Sequence, residues 1–484
     1  MNVGKPKRAS TRASTNYNIL WNGLNWPEIE QTVNKLQSRI AKAVERGRYN
    51  LVKKLQYLLT NSFTAKLLAV RKVTTNKGKR TPGIDGVILV SPSSKYEMAT
   101  NMTNKDYRPL PLKRTYINKP NGKKRPLGIP TIKDRAMQAL HQLGLDPIAE
   151  TVLDECSFGF RKYRGTKDAC EYLFKLLSRK NSPKWILEGD IKGMFDNISH
   201  GWIQQNIPIN KEILRKFLKS GYIYQNKLFK TKSGVVQGGV ISPTIANLTM
   251  NGLGNLIREK YWKSPTGLIR LNCNKAKVHI VIYADDFIVT ADEKETLEDV
   301  KTLIEDFLAQ RGLQLSKEKT VVTHIDHGFD FLGWNFRRYN EKLIIKPSKI
   351  SIKRVKANIK EIITKHIGHT QDLLITRLNQ VITGWCNYHK HNCAKETFSD
   401  IDKYIFECLW HWAKRRHPKK SAGWKKERYF TRVKNRDWVF KSETNQLKYA
   451  AYFKIKRYAM IRFNSNPYFP ENRGYYLKRR LAKA

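Results

Sequence analysis

Cysteine is scarce and unpaired: six residues in 484 (Cys156, Cys170, Cys273, Cys386, Cys393 and Cys408), with no C-x-x-C and no Cys/His spacing that would hold zinc. They read as reduced, mostly buried thiols. No apolar run is long enough to span a bilayer and no charged-then-apolar signal opens the chain, so neither membrane insertion nor secretion is expected. Acids are also few. Asp and Glu number 41 against 91 Lys and Arg, and the first 27 residues contain none. No fold needs a formal charge of +50, and a phosphate-dense partner explains it directly. The expected compartment is reducing and contains nucleic acid, with an organelle among the readings left open. Residues 1–27 read as a flexible basic arm in preference to a transit peptide.

What is present is enough apolar matter, 40% with 11% aromatic, for two to four domains. From Ile29 to Leu59 apolar residues recur at helical spacing (Ile29, Val33, Leu36, Ile40, Val44, Leu51, Leu55 and Leu58), predicting a helical N-terminal extension. Lys77 to Gly86 has the composition of a basic, turn-rich loop. Between Tyr107 and Pro347 short β-type runs alternate with helical ones, an α+β body, with a helix over 293–311 stopped at Gly312. Past Pro347 the spacing turns helical (Val355, Ile359, Ile362, then Leu374, Leu378, Ile382, Trp385), which sets a boundary near 347. From Lys346 on there are 33 Lys and Arg against 10 acids, and from Lys441 on there are 11 against two.

The chemistry starts at Tyr283-Ala-Asp285-Asp286, between two β-type runs. An acid doublet in a turn is more often simply solvated. Here Ile280, Ile282, Phe287 and Val289 make both flanks core strands, and neighbouring carboxylates there repel unless a cation lies between them. A divalent ion with oxygen ligands relieves that, and a pair of such ions serves phosphoryl transfer. A third acid comes from Trp185-Ile-Leu-Glu-Gly-Asp190, where an apolar run ends on Asp190. Asp196, six residues on, reads better as the cap of the following helix. Lys119 and Arg125 bracket an Asn-Gly turn and suit phosphates, and Gln237-Gly-Gly-Val-Ile-Ser-Pro lets backbone approach a base pair. Each feature is ambiguous alone.

In chain order they are not. Arg125-Pro-Leu-Gly-Ile-Pro, Ser157-Phe-Gly-Phe-Arg161, Gly-Asp190-Ile-Lys-Gly-Met-Phe195-Asp, Gln237-Gly-Gly, Tyr-Ala-Asp285-Asp286, Ser316-Lys-Glu-Lys-Thr320 and Phe331-Leu-Gly-Trp334 together resemble the group II intron-encoded reverse transcriptases, the intron maturases. The resemblance spans residues 20 to 484. It implies a right-hand polymerase: basic arm and helical extension over 1–80, fingers and palm over 81–346, an α-helical thumb or maturase domain over 347–440 and a basic DNA-binding segment over 441–484. It implies that Asp190, Asp285 and Asp286, with the backbone of Ile191, hold two Mg2+ ions, for which Mn2+ substitutes. Phe195 would exclude a 2′-hydroxyl, Lys119 and Arg125 would hold the triphosphate, and Gln237 would face the base pair.

Nucleic acid is expected at Arg80, in the loop Thr81-Pro-Gly-Ile-Asp-Gly86 implied to lie over template RNA, and at Lys123 and Lys124. It is also expected at Gly333 and Trp334 near the primer end and at Lys414, Arg415, Arg416, Lys419 and Lys420, while Trp385 and Trp410 go to packing. The implied partners are intron RNA, a DNA target and primer, and deoxynucleoside triphosphates; the oligomeric state is left open. The implied activity is RNA-directed DNA synthesis, copying the intron at its DNA target, alongside splicing help. The competing readings are a splicing cofactor with vestigial polymerase activity and a domesticated reverse transcriptase outside introns. No paired Cys and His mark an HNH endonuclease, so none is expected.

Overall fold

A computed structural model describes residues 9–118, 122 and 124–481, with side chains described from residue 16. By internal contacts the chain divides into two compact units. The first contains the described residues of Met1–Ala169, Leu187–Val321 and Ile461–Ala484; the second contains Cys170–Ile186 and Val322–Met460. These units cut the chain differently from the expected domains: the strands after Val321 go with the helical part, and the basic C-terminal segment is shared out at Ile461.

The first unit begins with helices Ala9–Asn22, Trp26–Glu45, Tyr49–Asn61 and Phe63–Thr75. Residues 9–22 are therefore helical where a flexible arm was expected. Trp26–Glu45 starts at an Asn25 cap and buries Ile29, Val33, Ile40 and Val44 as the spacing predicts. The next helix buries Val52, Leu55 and Leu59, leaving the predicted Leu51 and Leu58 exposed. Gly47 is the reason: its left-handed φ of 64° ends one helix and resets the face of the next.

Leu112–Asn118 pairs antiparallel with Lys124–Ile129, giving the predicted basic hairpin, and parallel with Tyr222–Tyr224, which pairs with Lys227–Phe229. Lys119 and Lys123 lie outside the described residues. A second sheet sets His279–Tyr283 beside Asp286–Ala291, and the latter beside Trp185–Asp190, whose last four residues belong to this unit. Val281, Ile282, Ile288 and Val289 are all buried in it. Helix Lys294–Ala309 follows, and Gly312 has φ 72° at the predicted stop.

In the second unit Phe329–Phe331, Trp334–Tyr339 and Lys342–Pro347 form an antiparallel sheet, followed by helices Lys349–Lys365, Gln371–His389, Lys395–Arg416 and Ala422–Tyr429. Hairpin Phe430–Val433 and Arg436–Phe440 closes it. Val355, Ile359, Leu374, Leu378, Ile382 and Phe398 share its core. Of the thiols, Cys156, Cys170 and Cys386 are buried, Cys273 and Cys408 half-buried and Cys393 exposed, so half of them are buried where most were expected to be.

Candidate active site

The acid doublet sits where the second sheet turns back on itself. Tyr283 pairs with Asp286, leaving Ala284 and Asp285 as a two-residue turn. Ala284 has φ 58°, a left-handed conformation that costs a side-chain-bearing residue on the order of 1 kcal/mol. The neighbouring chain holds it there. Phe158 donates its amide to the Ile282 carbonyl at 2.9 Å, and Ile282 donates to the Cys156 carbonyl at 2.9 Å. Gly159 lies so close under the turn that a Cβ would come within 2.5 Å of the Ala284 nitrogen. Arg161, ending the same Ser157-Phe-Gly-Phe-Arg161 segment, is buried and donates to the Glu150 carboxylate at 3.0 and 2.8 Å and to the Asp154 and Ser157 carbonyls. That segment is a brace for the turn.

Asp190 ends its strand beside the doublet, and Ile191 donates its amide to the Asp285 carbonyl at 3.2 Å, tying the two acid-bearing segments together. Behind them Phe287 packs on Gly189 so tightly that a Cβ there would lie 2.1 Å from the ring. Burial, then the charges of Asp285 and Asp190, push the Asp286 carboxyl up to about 7. Asp285 is raised too, by burial first and Asp190 second, with Arg125 and Lys319 opposing. Lys319 sets its ammonium 2.7 Å from Asp190 Oδ2, and that contact raises its own affinity for a proton. With Asp190 so engaged, no three His, Cys, Asp or Glu side chains among the described residues converge as a ready metal cage. The donor set nonetheless fits a divalent ion: its oxygens are all carboxylate, and two of the acids are held at a cost that a cation between them would remove.

Phe195 follows on the short helix Met194–Asn197, half-buried, its ring edge-on to Phe160 at 6.4 Å. The glycine-rich loop closes against it. Val235 donates to the Phe195 carbonyl at 2.7 Å, and a Cβ on Gly234 would meet that oxygen at 2.4 Å. Gly128 donates to the Gln237 carbonyl at 3.1 Å, joining the loop to the basic hairpin. Phe195, Asp196, Arg114, Gly128 and Gln237 line a cavity of about 180 Å3. Gln237 donates Nε2 to Asp196 at 3.2 Å, while its buried Oε1 has no protein partner. Asp196 is not the cap expected of it. Ser199 caps the following helix, accepting from the Trp202 amide at 3.3 Å.

Asp190, Ile191, Asp285, Asp286, Arg125, Phe195 and Gln237 thus belong to one unit, with the first four in direct contact or charge coupling and Arg125 acting on Asp285. Arg80 and Lys124 are exposed in the same unit. The loop after Arg80 is anchored by Arg135, which donates to the Gly78, Thr81 and Pro130 carbonyls.

One expectation in the second unit fails. Trp334 is 0% exposed and stacks on Tyr388 at 4.5 Å and 6°, so it is a core ring and cannot reach a nucleic acid. Gly333 has φ 84° and with Leu332 (φ 50°) makes the turn that buries it. Arg416 is half-buried and donates to the Ile367 and His369 carbonyls at 2.8 and 2.5 Å, in the turn between two helices. Lys414, Arg415, Lys419 and Lys420 are exposed, and Trp385 and Trp410 pack against the core as expected. Lys319 is the residue missed: Ser316-Lys-Glu-Lys-Thr320 is visible in sequence, but nothing there says which lysine turns 129 residues back to Asp190.

The reverse transcriptase (RNA-dependent DNA polymerase) family matches residues 117–336, and the N-terminal domain of reverse transcriptase matches 21–102. The acids, the braced turn and the glycine-rich loop all fall inside these matches, which make this a reverse transcriptase, an RNA-directed DNA polymerase. The group II intron maturase-specific domain matches 352–430.

Among curated relatives, group II intron-encoded protein LtrA of Lactococcus lactis subsp. cremoris is 28% identical over 411 residues, covering 66% of this chain and 68% of its own. Protein YkfC of Escherichia coli (strain K12) is 30% identical over 326 residues, covering 60% and 83%. Maturase-like protein 1 of Euglena gracilis is 23% identical over 379 residues, covering 76% and 77%. The chain belongs to the group II intron-encoded reverse transcriptase and maturase family. Reverse transcriptases use divalent metal ions and nucleic-acid substrates, and no described helix is long and apolar enough to cross a membrane.

Proposed function

We propose that Asp190, Asp285 and Asp286 hold two Mg2+ ions, Mn2+ being able to replace them, with the Ile191 backbone beside them. At this centre the chain extends a DNA primer on its own group II intron RNA at a DNA target. The observation that carries this is the pairing of two strand ends by the Ile191–Asp285 bond, which sets Asp190 beside Asp285 and Asp286, two carboxyls raised by burial and by repulsion within the trio. Bound there, divalent ions supply charge neutralisation for phosphoryl transfer. The chain's own groups do the rest. Arg125 meets the triphosphate from the basic hairpin, together with Lys119. Phe195, held by Phe160 and the Val235 amide, leaves no room for a 2′-hydroxyl. Gln237 rests against the nascent pair on a loop whose glycines permit close approach.

Template RNA runs past Arg80, Lys123 and Lys124, and Gly333 keeps a turn near the primer end. The exposed Lys414, Arg415, Lys419 and Lys420 bind intron RNA through its phosphates and so aid splicing. Lys414 and Arg415 lie in the last turn of a helix with a buried apolar face and Lys419 and Lys420 lie just past it, all four exposed, which supports a surface role, since a core would not admit them. The residues 441–484 contribute to DNA binding through their exposed cations. The setting is a nucleic-acid-containing compartment, the bacterial cytoplasm or an organelle. Asp285→Ala with Asp286→Ala should abolish primer extension on an RNA template while leaving RNA affinity nearly unchanged. Retained synthesis would sink the assignment.

A further inference from the structure

The second unit contains a cavity of about 380 Å3, within the ~300–1,000 Å3 range of small-ligand sites. Phe406, Phe430, Trp438 and Tyr449 line it, with Arg436 at its edge. Trp438 lies on the hairpin Phe430–Val433 and Arg436–Phe440, where the register shifts between Thr431 and Val433. Its φ is 61°, a backbone that glycine adopts freely and a bulky side chain takes only at a cost. Such a bulge re-aims a side chain that strand alternation would send elsewhere. Here it sets the indole edge-on to Phe406 at 5.8 Å and Trp410 at 5.5 Å, and 5.7 Å from Phe430.

That packing leaves 37% of Trp438 and 38% of Phe406 exposed at the cavity. Cations lie over the rings: Lys426 Nζ is 4.9 Å from the centroid of Trp438, and the Arg436 guanidinium lies 3.5 Å over Tyr449. Across residues 422–440 six Lys and Arg face two acids. Both acids at the cavity are engaged within the unit. Asp402 accepts from the Ala450 and Ala451 amides at 2.7 and 2.9 Å, and Asp437 lies 3.8 Å from Arg432.

Partly exposed aromatic rings carrying cations are what an unpaired nucleotide needs, a ring for the base once the flexible lysine moves aside and positive charge for its phosphates. We infer that this cavity is a stacking site for one unpaired base of a bound RNA strand, with Trp438 carrying the base and Lys426 and Arg436 the flanking phosphates. The inference rests on the RNA-binding reading proposed above and names the RNA element that reading leaves open: a single-stranded residue instead of a helix.

The test uses the full chain with a short single-stranded RNA containing 2-aminopurine, whose fluorescence is quenched by stacking, beside a fully paired RNA duplex and the same single strand as DNA. Trp438→Ala should weaken single-strand binding about tenfold and relieve the quenching, with duplex affinity unmoved and Trp438→Phe restoring most of the loss. No loss, or an equal loss on the duplex, overturns the site. Equal dependence on Trp438 for the DNA strand overturns its assignment to RNA. Should thermal melting show Trp438→Ala misfolded, Phe406→Ala and Lys426→Gln carry the same comparison. Wild-type protein that binds neither RNA refutes the RNA-binding reading itself; wild type that binds both, with a variant that behaves identically, refutes only the pocket.

Discussion

Asp168 gives the sharpest test of how the first unit is held together. It lies on helix Thr166–Leu177 with its side chain 1% exposed, and its Oδ1 accepts from the Arg479 guanidinium at 2.6 Å and the Ile461 amide at 2.8 Å. Oδ2 accepts from the Gly165 amide at 3.1 Å. Arg479 is itself 9% exposed in its side chain, so Asp168→Ala removes together the acceptor of this ion pair and of a buried amide. Removing one partner of a buried pair costs about 3–5 kcal/mol, which multiplies the unfolded fraction by roughly two to three and a half decades. Arg479→Met should cost less, because the Asp168 carboxylate keeps two backbone donors.

In the double variant the cation that lost this ion pair is gone as well. The two losses should therefore fall short of additivity by about 2 kcal/mol. Denaturant midpoints of the full chain measure all three variants, and amide exchange at Ile461 reports whether residues 461–481 come loose first. Strict additivity, or an Asp168→Ala loss under about 1 kcal/mol, would refute the reasoning.

Phe195→Ala should admit ribonucleotides in primer extension, and an unchanged preference for deoxynucleotides would remove Phe195 from sugar selection. Gly189→Ala should lower both melting temperature and polymerisation rate, since the new Cβ meets the buried Phe287 ring at 2.1 Å and overpacking of that kind costs about 1–3 kcal/mol; a variant as stable as wild type would show the ring free to move. Asp286→Asn should stabilise the chain when divalent ions are chelated. Because its carboxyl is raised to about 7, the native state holds that proton more tightly than the unfolded chain. The penalty is absent below about pH 4, grows as pH rises and is complete above 7, with a ceiling of about 4 kcal/mol that partial exposure reduces. Melting curves at pH 5 and 8 should show the gain mainly at 8, and a gain independent of pH would refute it.

What the sequence disclosed follows from how local each signal is. The acid doublet was legible because Ile280, Ile282, Phe287 and Val289 lie within five residues of it, and all four are buried. The helix ending at Gly312 was legible for the same reason. Lys319 was not, because its partner is 129 residues away and only the sheet joins them. Arg416 and Arg479 look in sequence like neighbouring surface cations, yet tertiary contacts draw one to two carbonyls and the other to Asp168. Trp334 misled because an aromatic after a glycine turn reads alike whether it faces solvent or Tyr388. The faces of helices were legible only until a break: Gly47 shifts the buried set from Leu51 and Leu58 to Val52 and Leu59.

The backbone itself carries a second kind of information that no residue pattern announces. Ala284 and Trp438 both hold left-handed φ values where glycine would be cheaper. At Ala284 the strain is enforced from below by Gly159, where any larger residue would collide with the turn, so the cost of the turn is met by a brace that tolerates only glycine. A glycine at 284 would relax that strain but also free the chain next to Asp285, whose carbonyl must stay within reach of the Ile191 amide. Rigidity at the turn keeps carboxyls together that would otherwise separate to lower their repulsion. The same burial and proximity that raise both carboxyls without a cation are therefore what a divalent ion at the proposed site would relieve.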